Sequence, residues 1–215
     1  MLASLLLLQA QSDTIVPVPR NDDWWKKRHE ASVARAKQGD ANLVFIGDSI
    51  THSFGGPIWD KYYGPRKPMN LGFSGDRTQH VIWRLQNGEM DGVKPKVVVM
   101  MIGTNNQAAN TPEQTALGVQ AIVTWLRQHQ RQAKIVMLDI FPRDPNPDNV
   151  LRRKVEATNR LLQDIREVQH VNINDVFLDE FGKLSRDIMP DFLHPNQEGY
   201  QRWADALEPT LKKYF

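Results

Sequence analysis

A strand is expected over 96–102, where Lys96 is followed by Val97, Val98, Val99, Met100, Met101 and Ile102, closed on one side by Pro95 and on the other by Gly103. Such a run leaves no polar face, so as a strand it has to be covered on both sides. A sheet covered on both sides carries helices front and back, which narrows the chain to the parallel α/β class.

The remaining segments fit that class. A helix is expected over 22–37, with acidic residues at its start and Gly39 beyond its end. A first strand over 42–47 is built on Leu43, Val44, Phe45 and Ile46. An extended stretch over 68–71 leads into Gly72, Phe73, Ser74, Gly75 and Asp76, and a helix over 78–87 closes on Gly88. Thr111, Pro112 and Gln114 make a strong helix start, with Thr as cap, Pro in the first turn and Gln at the capping-box position. Leu117, Ala121, Ile122, Trp125 and Leu126 are its expected buried stripe. A fourth strand is expected over 134–141, a loop over 142–147, and a helix over 149–167 with Val155, Thr158, Leu162 and Ile165 facing inward. A short strand over 171–173 and a helix from 196, kinked or ended by Pro209, complete the chain. The pattern predicts an α/β, single-domain, doubly wound parallel sheet of about five strands flanked by helices, flavodoxin-like in kind.

Composition removes several functions. A length of 215 residues suits one domain, and the formal charge of +2 is spread along the chain with no basic stripe, so nucleic acid is not an expected partner. Arg152, Arg153 and Lys154 read as a solvated helix face. The absence of cysteine excludes disulfides, thiol nucleophiles and thiolate metal sites. His29, His52, His129 and His170 show no paired ligand spacing, so no metal site is expected; His80 reads as structural, Asp139 as hydrogen-bonded locally, and Trp24, Trp25, Trp83 and Trp125 as packing residues.

Leu5, Leu6, Leu7 and Leu8, followed by Ala10 and Ser12, resemble the apolar core and cleavage site of a secretory signal, although no basic residue precedes them. Residues 1–12 are set apart as a signal remnant and 13–215 as the folded domain. The run is far too short to span a bilayer, and nothing later is apolar enough, so no stable membrane anchor is expected. The secretory start favours a secreted or periplasmic location, with the cytoplasm as the alternative.

In open parallel sheets ligands bind beyond the carboxyl ends of the strands. Ser49 follows the first strand in Gly47-Asp48-Ser49, Gly75 follows the second, Asn105 follows the third in Gly103-Thr104-Asn105-Asn106, and Asp191 and His194 precede the last helix. All should meet on one edge. A serine hydroxyl becomes a nucleophile when a histidine takes its proton, and a carboxylate holds that histidine, which assigns Ser49, His194 and Asp191. The Gly75 and Ser49 N–H groups and the Asn105 amide are candidate donors to an oxyanion. Ile50 and Leu193 flank catalytic positions and are candidate walls of an acyl pocket. Asp48 reads as a loop-bracing carboxylate. A nucleophile elbow of Gly-x-Ser-x-Gly form is absent, because Ser49 is followed by Ile50 and Thr51.

These four blocks, Gly47-Asp48-Ser49, Gly72-x-x-Gly75-Asp76, Gly103-Thr104-Asn105 and Asp191-x-x-His194, resemble those of the SGNH (GDSL) hydrolases. Within that family the chain is similar to the catalytic subunits of intracellular platelet-activating factor acetylhydrolase, notably through Val44-Phe45-Ile46-Gly47-Asp48-Ser49, through Gly75-Asp76-x-Thr78-Gln79-His80-Val81-x-Trp83-Arg84-Leu85, and through Asp191-Phe192-Leu193-His194. The resemblance covers roughly 24–215. It implies Ser49 as nucleophile, Gly75 and Asn105 as oxyanion donors, Asp191 and His194 as the acid–base pair, and a small-acyl esterase that needs no cofactor. His194-Pro195-Asn196-x-x-Gly199-Tyr200 looks more like bacterial secreted esterases that remove acetyl groups from sugars. An acetylated carbohydrate is therefore the expected substrate, with a platelet-activating-factor-like lipid or lysophospholipid as the alternative. A non-catalytic binding module on the same fold is the reading of another class, and the intact Ser49, Asn105 and His194 speak against it. The oligomeric state stays open, a homodimer included.

Overall fold

In the computed structural model, residues 12–215 are described. The signal remnant expected over residues 1–12 lies outside them except for Ser12, which is buried with its hydroxyl 2.6 Å from that of Thr14. Five strands, β1 (Leu43–Gly47), β2 (Pro68–Gly72), β3 (Val97–Met101), β4 (Lys134–Leu138) and β5 (Gln169–Val171), form one parallel sheet in the order β2-β1-β3-β4-β5. Seven α-helices surround it among the described residues: α1 (Asp23–Ala36), α2 (Ser49–His52), α3 (Gly56–Tyr63), α4 (Thr78–Gln86), α5 (Pro112–His129), α6 (Val150–Leu162) and α7 (Gln197–Leu211).

Every residue of β1 and β3 is buried, and their side chains divide by the period of two into separate cores. Val44, Ile46, Val98 and Met100 pack with Ala36, Leu85, Ile122 and Leu162 from α1, α4, α5 and α6. Leu43, Phe45, Val99 and Met101 pack with Ile50, Tyr63, Trp203 and Leu207 from α2, α3 and α7. The strand order reverses at β1 and β3, and their carboxyl ends are level, with Gly47 opposite both Gly72 and Met101. Ligand crevices open at such a reversal.

The differences from expectation have local causes. α3 was not anticipated, although Pro57 in its first turn and the spacing of Trp59 and Tyr63 mark it. β4 leaves the ladder at Leu138 because the Asn159 amide takes over the backbone of Ile140, accepting from its N–H at 2.8 Å and donating to its carbonyl at 2.9 Å. α6 stops at Leu162, since the chain turns to bury Ile165 and then passes through Glu167 at φ +64°. β5 lies two residues earlier than expected and is half-buried throughout, so hydropathy does not mark it. The buried stripe of α5 is centred on Thr115, Gly118, Val119, Ile122, Val123 and Leu126, one position round from expectation, and Leu117, Ala121 and Trp125 sit at its margin. Arg152 is not solvated: it is 3 % exposed, bonded to Glu156 and to the Gly182 carbonyl. Pro209 falls in the last turn of α7, which runs on to Leu211.

Candidate active site

β1 ends at Gly47, where a Cβ would collide with Thr51 and the Met101 carbonyl, so only glycine lets α2 start this close to the strand. Asp48 caps α2 by accepting the Ile50 N–H at 3.0 Å and presents Ser49 as its first residue. The hydroxyl of Tyr200 on α7 donates to the Ile50 carbonyl at 2.8 Å and clamps the helix from behind.

The Ser49 hydroxyl lies 2.8 Å from Nε2 of His194, and Nδ1 of His194 lies 2.6 Å from Oδ2 of Asp191. The other carboxylate oxygen of Asp191 accepts the backbone N–H groups of Leu193 at 3.0 Å and His194 at 2.8 Å. That wrap requires a left-handed residue between them, and Phe192 takes it at φ +59°, pinned by its N–H on the Met189 carbonyl and by the Asp144 N–H on its own carbonyl. Partial burial pushes the Asp191 carboxyl up, but the hydrogen bonds from the His194 ring and backbone outweigh it and hold the group below the ordinary carboxylate range. Asp191 is therefore ionised at neutral pH, which keeps the proton on Nδ1 and leaves Nε2 free to accept from Ser49.

Gly75 stands in the loop after β2 at φ +78°. Asn105 belongs to a single 3-10 turn after β3, Thr104–Asn106. Its amide donates to the Asp76 carbonyl at 2.9 Å, which ties the two loops together and leaves its second N–H uncommitted among the described residues. Under the Gly75 loop, the buried Asp76 carboxylate accepts from the Trp25 indole at 2.7 Å and from Nε of Arg84 at 2.9 Å. Arg84 also pairs with buried Glu89 and lies 3.9 Å above the Phe73 ring.

Ile50 is 1 % exposed and packs into the aromatic core, whereas Leu193 is half-buried beside His194. Asn196, read from sequence as part of a sugar-esterase motif, caps α7 through the Gly199 N–H at 3.0 Å and donates to the Asp187 carbonyl at 2.7 Å. His80 accepts the Arg77 N–H at 3.0 Å; burial, then the neighbouring arginines, lower its pKa to about 4, so it is neutral at pH 7. Sequence reasoning missed Arg20, Trp24 and His52 as neighbours of the Gly75 loop, since none belongs to a block. A cleft of about 420 Å³ lined by Asp139, Arg152, Asn159 and Asn174 lies beyond β4 and β5 and includes none of Ser49, Asp191 or His194. Among the described residues no three His, Asp or Glu side chains converge as a metal site, and no helix is long and apolar enough to cross a membrane.

Asp48 is fully buried, and one of its oxygens has no partner among the described residues. Burial raises its pKa from 3.8 to about 7, against the pull of the Ile50 N–H and of His194. The folded state thus holds this proton through a range where the unfolded chain releases it, so stability falls as pH rises from about 4 to 7 and the penalty is complete above 7. Asp48→Asn is expected to shift the difference in Tm from the parent in the variant's favour by several degrees between pH 4 and pH 8. Parallel Tm curves over that range would overturn the assignment.

A hydroxyl, an imidazole and a carboxylate stand in series at the reversal point of a doubly wound sheet, an arrangement whose chemistry is nucleophilic acyl transfer. The model of the GDSL-like lipase/acylhydrolase family matches residues 45–202, and the chain belongs to that family. It is 38 % identical over 197 residues to the alpha2 subunit of platelet-activating factor acetylhydrolase IB from human and from rat, covering 89 % of this chain and 85 % of each relative. The alpha1 subunit from Pongo abelii is 36 % identical over 207 residues, 94 % of this chain and 89 % of that one. Among solved structures, a GDSL-like lipase from Bacteroides thetaiotaomicron superposes with a TM-score of 0.71 at 19 % identity, covering 88 % of this chain and 98 % of that one. An acetylxylan esterase from Geobacillus stearothermophilus gives 0.62 at 21 % identity, with 80 % and 94 % covered. These two share the fold.

Proposed function

We propose that this esterase removes acetyl groups through an acyl-enzyme on Ser49. The observation that carries the reading is the continuous hydrogen-bonded series from Ser49 to His194 to Asp191. The Ser49 oxygen attacks the ester carbonyl while Nε2 of His194 takes its proton. The oxyanion is received by the N–H groups of Ser49 and Gly75 and by the free N–H of Asn105. Collapse expels the alcohol, which leaves with the proton from His194, and water then attacks the acyl-enzyme with His194 again as base. Asp191 holds the ring and balances the imidazolium charge. Leu193 is the better-supported wall for a short acyl group, because Ile50 is committed to the core.

For the alcohol half, the relatives at 36–38 % identity are named for acting on platelet-activating factor, an acetyl ester, and they favour a lipid of that kind. The carbohydrate reading loses one of its supports, since Asn196 has a structural explanation in the helix cap. A series of p-nitrophenyl esters tests the acyl half: kcat/KM is expected to be highest for acetyl and to fall by about tenfold or more at hexanoyl, the order of discrimination a small apolar pocket achieves. Equal rates for acetyl and octanoyl would overturn the short-acyl reading. Acetate release from an acetylated ether phospholipid, compared with release from acetylated xylo-oligosaccharide, then decides between the two alcohols.

A further inference from the structure

We infer that Arg20 is a positioning residue for the oxyanion site, acting through the Ser74–Gly75 peptide; the inference rests on Gly75 being an oxyanion donor, as proposed above. Nη1 of Arg20 donates to the Ser74 carbonyl oxygen at 2.7 Å. That carbonyl and the Gly75 N–H are the two ends of one planar peptide unit. A charge-assisted bond at the carbonyl end fixes the plane of the unit and draws electron density away from the nitrogen, making its N–H a stronger donor. Arg20 thus supplies positive charge to the oxyanion site without touching the substrate.

The rest of the surroundings serve the same end. Ser74 is held at its other polar atoms by His52, whose Nδ1 lies 2.9 Å from the Ser74 hydroxyl and 3.3 Å from its N–H. The guanidinium packs directly on Gly75, so a Cβ there would lie 2.5 Å from Nη1, and the φ of +78° disfavours a side chain independently. Arg20 is in turn held by Asp22, which accepts from its Nε at 2.9 Å, and its guanidinium lies 5.5 Å from the Trp24 ring, which stacks on His52 with centroids 6.0 Å apart.

The segment that carries Arg20 is anchored across the mouths of α4 and α5. Thr14 donates to the Gln114 carbonyl at 2.7 Å and accepts from the Thr78 hydroxyl at 2.9 Å, and the Asn110 amide donates to Asp13 at 2.7 Å. Fixing a long flexible cation in this way costs side-chain entropy. The same Nη1 also lies 3.9 Å from the buried Asp76 carboxylate, so the cation braces the base of the loop as well as its Ser74–Gly75 peptide. Arg20 also lies ahead of the span matched to the family, 45–202, so its part in the site comes from outside the motif blocks.

The test uses the full-length protein with p-nitrophenyl acetate and follows kcat, KM and Tm together. Arg20→Ala is expected to lower kcat by about ten- to a hundredfold, less than outright loss of an oxyanion donor, with KM little changed. The Arg20 side chain is 23 % exposed, so solvent reaches the space it vacates. Millimolar guanidinium chloride should therefore restore much of the lost kcat in Arg20→Ala without accelerating the parent, and Arg20→Lys should retain more activity than Arg20→Ala. An unchanged kcat, or a loss of activity that follows Tm and responds to neither guanidinium nor lysine, would overturn the inference. Asn105→Ala separates it from the reading beneath. If that variant loses kcat while Arg20→Ala does not, the oxyanion site stands and the role of Arg20 falls. If neither variant loses kcat, the oxyanion reading itself fails.

Discussion

Ser49→Ala is expected to retain the fold and lose ester hydrolysis by about four orders of magnitude or more in kcat, the scale on which removal of an activated serine acts. The hydroxyl bonds to the His194 ring, while α2 keeps its Asp48 cap and its clamp from Tyr200. Tm should therefore stay within a degree or two of the parent. Burst kinetics with p-nitrophenyl acetate would show no acylation phase. Activity within tenfold of the parent would move the nucleophile elsewhere, and Ser74, 2.9 Å from His52, would be the first residue to substitute. That pair is the weaker candidate because burial, followed by the nearby Arg28 charge, lowers the basicity of His52, and no carboxylate bonded to the His52 ring is found among the described residues.

The largest expected loss of stability comes from Arg84→Met. The Arg84, Asp76 and Glu89 side chains are all fully buried, and Arg84 bonds both carboxylates, with Arg20 a more distant second cation 3.9 Å from Asp76. Removing the cation from such a cluster costs about 3–5 kcal/mol, because charges that cannot reach water lose their partner. In a chain of this size each kcal/mol moves Tm by about 2–4 °C, so a fall of roughly 6–20 °C is expected. The deficit should carry a pH signature. Burial already lifts Asp76 to about 6 with Arg84 in place. Without Arg84 the Asp76 carboxyl is raised further, the folded state takes up a proton that the unfolded state does not, and the deficit shrinks from pH 8 to pH 5. A deficit below 1 kcal/mol, or one that grows on acidification, would show that the cluster is not held by charge. Activity should fall as well, because the Asp76 carbonyl holds the Asn105 amide.

The sheet and the centre of the site were legible for the same reason. β1 and β3 are buried on both faces, so their apolar runs are unbroken, and β1 ends on a glycine while β3 ends two residues before one, where the chain turns into a candidate nucleophile or donor. The level carboxyl ends then bring Ser49, Gly75 and Asn105 to one edge. Half-buried elements were harder: β5 carries no hydropathy contrast, and α3 is short. Side chains acting on backbone were invisible. Asn159 ends β4 by substituting for a strand neighbour, Arg152 is drawn inward by the Gly182 carbonyl, and Arg20 reaches the Ser74 carbonyl from 54 residues away. Such contacts depend on where loops arrive, which no local pattern encodes.

Ser49 and the imidazole bonded to its hydroxyl are separated by 145 positions. On a ribosome adding about 5–20 residues per second, roughly 7–29 s pass between synthesis of the one and of the other. The Tyr200 clamp and the apolar face of α7 arrive later still. On the proposed mechanism a growing chain is therefore chemically silent toward esters until His194 has been made and its loop can fold back onto the end of β1.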